Sequence, residues 1–119
     1  MEVIRMESVE AARTPRGVTG RKLVDIPAVH VMNLILQPGE EVPFHVTPVD
    51  VLFYVVKGEG TVLIRDESTP VGETDLAVSP REIPHALRAD RGEAFQVLVI
   101  KTPSPAHLAP PADKARVSG

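Results

Sequence analysis

An all-β domain is predicted by three features of this chain: an aliphatic rather than aromatic core, frequent proline and glycine punctuation, and short apolar runs that alternate in parity. Hydrophobic residues make up 43% of the 119 positions but aromatics only 3%, so Val, Leu, Ile and Ala must fill the interior. β-branched runs broken by 12 prolines and 8 glycines suit strands and turns, and no window sustains a helical period. The length suffices for one modest core. A net charge of -3 gives no electrostatic footprint for nucleic acid. No apolar run approaches the ~20 residues of a membrane-spanning helix. The absence of cysteine excludes disulfides, thiolate metal sites and cysteine nucleophiles. The start, Met1-Glu2-Val3-Ile4-Arg5, has no signal-peptide core. The expectation is a soluble, cytoplasmic protein that engages neither nucleic acid nor membrane.

The elements follow in order. Residues 1–22 read as an arm, charged and turn-rich, with one short strand near Val3 to Met6. Residues 23–102 form the β domain. His30 to Leu36 is its first clear strand, with His30, Met32, Leu34 and Leu36 on one face and Val31, Asn33 and Ile35 on the other. Gln37-Pro38-Gly39-Glu40 turns the chain towards a strand end at Pro43-Phe44-His45. Val51 to Val56 is apolar on both faces and therefore needs cover on both. In a domain this small a second subunit supplies one cover, so a homodimer is expected. Lys57-Gly58-Glu59-Gly60 closes a hairpin onto Thr61 to Arg65. Asp66 to Glu73 reads as a polar loop, Asp75 to Ser79 and Pro84 to Arg88 as strands, and Ala94 to Lys101 as the last, strongly apolar strand. Residues 103–119, with four prolines between Pro103 and Pro111, read as an extended tail that contains an uninvolved His107.

Two histidines stand out chemically. His45 and His85 lie forty residues apart, each just after a proline that fixes the backbone before it. Imidazole is the commonest protein metal ligand, and a β-barrel can gather distant strands around one ion. With these strands laid out, the chain resembles the cupin superfamily over roughly residues 28 to 101. Gly39 to His45 opens the first cupin motif and Phe53 to Gly60 closes it, while Pro80-Arg81-Glu82-Ile83-Pro84-His85 matches the second at both prolines and the histidine. The resemblance implies a cupin-like β-barrel, that is, a double-stranded β-helix or jelly roll.

The resemblance also implies a metal held by two histidines and a glutamate of the first motif and a histidine of the second. His45 and His85 match the first and last positions. Thr47 stands where the second histidine belongs and Val51 where the glutamate belongs. Glu82 replaces a glycine and Ala89 an asparagine. Two ligands remain for a divalent ion (Fe, Ni, Mn or Zn), whereas a catalytic site usually needs three from the protein. Asp50 would supply a third if a bulge near Pro48 re-aimed it. His30 shares the face of Leu34 and Leu36 and would point inward at the barrel end.

The leading expectation is a small-molecule-binding barrel, its pocket lined by His45, Thr47, Asp50, Val51, Phe53, His85 and Leu87. The alternative is a metal-dependent dioxygenase, isomerase or decarboxylase. Metal-free acid–base chemistry at His45 and His85, as in cupin sugar epimerases, would call for basic residues beside the substrate, and no inward-facing Arg or Lys cluster is read from the sequence. Ser79, His85 and Asp75 make a nominal Ser-His-Asp list of little weight.

Overall fold

The computed structural model describes residues 1–108. Ten strands run in chain order: β1 (Ala12–Arg13), β2 (Thr19–Ile26), β3 (Val29–Leu36), β4 (Glu41–His45), β5 (Asp50–Lys57), β6 (Gly60–Ile64), β7 (Glu67–Val71), β8 (Leu76–Ser79), β9 (His85–Arg88) and β10 (Phe95–Thr102). They form two antiparallel sheets, a six-stranded one in the order β1-β2-β3-β10-β5-β8 and a four-stranded one in the order β4-β9-β6-β7. The predicted jelly roll is thus present as two sheets, and no strand pairing closes them into a continuous barrel among the described residues. Between them lie Leu34 and Leu36 of β3, Val51, Phe53 and Val55 of β5, Phe95 and Val97 of β10, and Val42, Val62 and Leu87 from the smaller sheet. These are the inward parities of each strand, which is why the apolar alternation was readable.

The structure redraws several expected boundaries. Val3 to Met6 is not a strand; a single 3-10 turn covers Met6–Ser8. Position 22 falls inside β2, and Val18, only 1% exposed, belongs to the core. The loop expected from Asp66 to Glu73 is largely β7, paired with β6 from Gly60↔Val71 to Ile64↔Glu67. Its burial is low, so neither apolar periodicity nor proline-free sequence announces it. Pro70 is tolerated because β7 is an edge strand.

The start of the tail is docked rather than extended. The Ser104 amide donates to the Pro27 carbonyl, and its hydroxyl donates to Asp25 at 2.6 Å. His107 reaches the same carboxylate at 3.1 Å. The rest of the tail, residues 109–119, lies outside the described residues.

Candidate functional site

A bulge builds the site. In the β4–β9 pair, Val42 faces Leu87 and His45 faces His85, so β4 advances three residues while β9 advances two. Strict alternation would send His45 to the face opposite Val42. The extra residue, in the Pro43-Phe44 stretch, turns it back inward, and proline suits this position because it has no N–H to place in a ladder. Phe44 is left half-exposed.

The two imidazoles meet edge to face, with ring centroids 4.5 Å apart, and Phe53 packs against His85 in the same manner at 5.1 Å. The Nε2 atoms of His45 and His85 are 3.2 Å apart. Burial lowers both pKa values; for His85, with the charges of His45, Lys101 and Arg16 adding to burial, the value falls to about 4. Both rings are therefore neutral at neutral pH. The hydrogen-bond partners then fix the tautomers. The Pro43 carbonyl, 3.0 Å from His45 Nδ1, can only accept, so that nitrogen carries the proton and His45 Nε2 carries a lone pair. His85 Nε2–H donates to it. His85 Nδ1 accepts from the hydroxyl of Ser79, 2.8 Å away and fully buried. The chain Ser79, His85, His45, Pro43 is saturated end to end.

The pair borders a cavity of about 280 Å³. Its walls are mainly Met32, Leu34, Phe53, Leu87 and Val99, with Arg16 and Lys101 also lining it. A second hollow of about 310 Å³, between β6–β7 and β8, contains neither motif histidine.

Of the residues expected at the pocket, His45, His85, Phe53 and Leu87 line the cavity. Thr47 lies behind, its hydroxyl 3.4 Å from His85 Nε2. Val51 is core and Asp50 is turned away, and neither lines the cavity. No bulge re-aims Asp50: its carboxylate accepts the Arg81 amide at 2.9 Å and so braces the β8–β9 turn. That turn carries Glu82 at φ 64, a left-handed conformation that explains why the motif usually has glycine there. The Glu82 amide donates to the Thr47 carbonyl, tying the turn to the segment after β4. Asp75 bonds the Gly72 amide, away from His85, so Ser79, His85 and Asp75 do not form a triad. His30 sits opposite Lys101 in the β3–β10 pair, with a buried Nδ1 that has no partner among the described residues.

Sequence reasoning missed Arg16 and Lys101, and it weighed Ser79 only as part of a nominal triad, not as a hydroxyl that positions His85. Lys101 had a signal: it continues the inward parity of Phe95, Val97 and Val99 along β10. Arg16 had none, because its place depends on the path of the β1–β2 turn, and the bond that Ser79 makes to His85 depends on strand pairing.

The donors present do not fit a resident metal. Nitrogens 3.2 Å apart would suit one ion at about 2.0–2.1 Å from each. The Thr47 hydroxyl, 3.4 Å from His85 Nε2, is a poor ligand for a divalent ion, and no carboxylate lines the cavity. Among the described residues no three His, Cys, Asp or Glu side chains come together.

Comparison with known proteins agrees with the fold. An uncharacterized protein of Methanocaldococcus jannaschii is 27% identical over 105 residues, spanning 87% of this chain and 90% of the other. The solved structure of that same protein, an RmlC-like cupin with a double-stranded β-helix fold, superimposes with a TM-score of 0.70 at 23% identity, over 82% of this chain and 91% of its own. The polyketide cyclase RemF of Streptomyces resistomycificus gives 0.79 at 21%, over 93% and 82% respectively. A predicted oxalate decarboxylase of Thermotoga maritima gives 0.78 at 17%, over 85% and 98%. The family profile described as "Cupin domain" matches residues 32–101, which covers β4 with His45, β9 with His85 and all the strands between them; the chain belongs to the cupin family.

Proposed function

We propose that this cupin binds a small organic molecule in the cavity beside His45 and His85. The observation that carries the reading is the self-satisfied imidazole pair at the wall of an apolar, partly open space of about 280 Å³. That volume falls just below the usual range of about 300–1,000 Å³ for ligand sites, which suits only a small molecule, and apolar walls with a few fixed polar groups describe a binding pocket. The alternative that the resemblance implies, a metal-dependent dioxygenase, isomerase or decarboxylase holding Fe, Ni, Mn or Zn, needs a third protein ligand that this donor set does not supply. The predicted decarboxylase and the cyclase among the similar structures share the fold, and one fold hosts many chemistries.

Ligand-observed NMR with a fragment library tests the reading. Wild-type protein is expected to retain hits, and Met32→Trp, which fills the cavity from its wall, to lose them while keeping a folded methyl spectrum. Hits that survive Met32→Trp unchanged would place binding elsewhere and end the proposal.

The expected homodimer belongs here too. On the outer face of the larger sheet, Val78, Leu52, Ile100, Val31 and Val24 align across five strands by register. Val78 is 61% exposed and its neighbour Leu76, on the same edge strand, 55%. A second copy of the chain covering this stripe would supply the cover that β5, apolar on both faces, calls for.

A further inference from the structure

The charges around the cavity are all of one sign. Lys101 stands last in the inward series of β10 and lines the cavity although only partly exposed. Arg16 reaches the same mouth from the tight turn between β1 and β2. That turn is closed by the Thr14 amide and hydroxyl, both donating to the Val18 carbonyl, and by Gly17 at φ 87. His45 and His85 complete the lining, and His30 stands beside Lys101 on β3. No Asp or Glu lines this space. Asp25, the register partner of His30, is engaged by Ser104 and His107. Among the described residues neither Lys101 nor Arg16 takes part in an ion pair.

An ammonium withdrawn from water with no counter-charge is costly, and such a group is normally paired. Burial, with Arg16 second, already pushes the Lys101 pKa down. A stability-driven choice at this position would be another Val or Leu, as elsewhere along β10. The charge is therefore placed for something that arrives.

We propose that the cavity takes a small organic acid, its carboxylate held between Lys101 and Arg16 and its apolar body against Met32, Leu34, Phe53 and Val99; this rests on the ligand-binding reading above. A carboxylate would neutralise the repulsion between the two basic side chains while its body excludes water from the walls. Guanidinium and ammonium both form charge-assisted hydrogen bonds with carboxylate oxygens, which are stronger than neutral ones. Neutral His45 and His85 leave the net attraction for an anion to Lys101 and Arg16.

Calorimetric titration of the full chain compares benzoate and straight-chain acids, from acetate to octanoate, with their primary amides. At least one acid is expected to bind about tenfold or more tightly than its amide. Lys101→Met should bring that acid down to the level of its amide, and should also raise the melting temperature of the ligand-free protein by removing an uncompensated charge. Arg16→Gln, at an exposed position, should weaken the acid by about threefold. Amides binding as tightly as acids would overturn the acid assignment and leave the pocket standing. Acid binding untouched by Lys101→Met would overturn it equally. If neither acids nor amides bind, the acid assignment falls, and hits or their absence in the fragment library decide the ligand-binding reading separately.

Discussion

A hydroxyl on the far side of His85 sets what the cavity meets on the near side. Ser79 donates to Nδ1, so Nε2 keeps the proton that bridges to His45. Replacing Ser79 with Ala strands a buried acceptor, which typically costs about 1–3 kcal/mol. The expected result is a lower denaturation midpoint, together with loss of a single His85 tautomer in long-range proton–nitrogen NMR spectra. An unchanged tautomer would remove Ser79 from its positioning role. At this scale the sequence spoke unevenly. His45 and His85 were legible because motif spacing and a preceding proline mark both. Lys101 was legible through parity and was passed over, whereas Ser79 entered only a nominal triad with His85, because its role under the ring depends on strand pairing. Asp50 looked like a spare ligand only because sequence cannot show its carboxylate bound to the Arg81 amide.

Strands and turns explain both the successes and the misses at the next scale. β3, β5, β6 and β10 carry the core, so their apolar runs are dense and their positions were readable. β7 contributes little to the core and pairs at an edge, and its polar sequence reads as loop. β1 is held by two register pairs to β2, too short to leave a pattern. The bulge in β4 has a proline signature but no sequence rule fixes which side chain it re-aims. The outer stripe of the larger sheet leads to a prediction about assembly. Leu76→Lys combined with Val78→Lys should convert a dimer to a monomer, read as a halving of mass by light scattering at micromolar concentration, with the fold retained because both side chains are mostly in solvent. A wild-type protein that already runs as a monomer would show the stripe to be uncovered.

For the whole molecule, the neutral histidines link stability to pH. The pKa of His85 drops from 6.5 to about 4 on folding, through burial first and then through His45, Lys101 and Arg16. The unfolded chain thus takes up the proton first, so this stabilisation is complete above the unfolded pKa and is lost as pH falls through the interval to the folded one. His45 is lowered for the same leading reason and acts in the same direction. The carboxylates follow at lower pH. Asp25 is held below its usual value first by the Ser104 hydroxyl and Glu40 first by the Gln37 amide, so their contributions fade as acid protonates them. The urea midpoint should fall between about pH 7 and about pH 4.5, and His85→Gln should flatten that fall. A flat wild-type profile would mean that the rings are not held neutral.

The claim on which the rest depends is that His45 and His85 serve an organic ligand rather than a resident ion. Native mass spectrometry of untagged protein, mixed with the organic acids and with iron, nickel, manganese and zinc salts, tests it in one spectrum. The expected result is one organic molecule retained per chain, lost in Lys101→Met, with metal adducts no different between the wild type and a His45→Ala, His85→Ala double variant. Near-stoichiometric metal that the double variant loses, with no organic adduct, would contradict it.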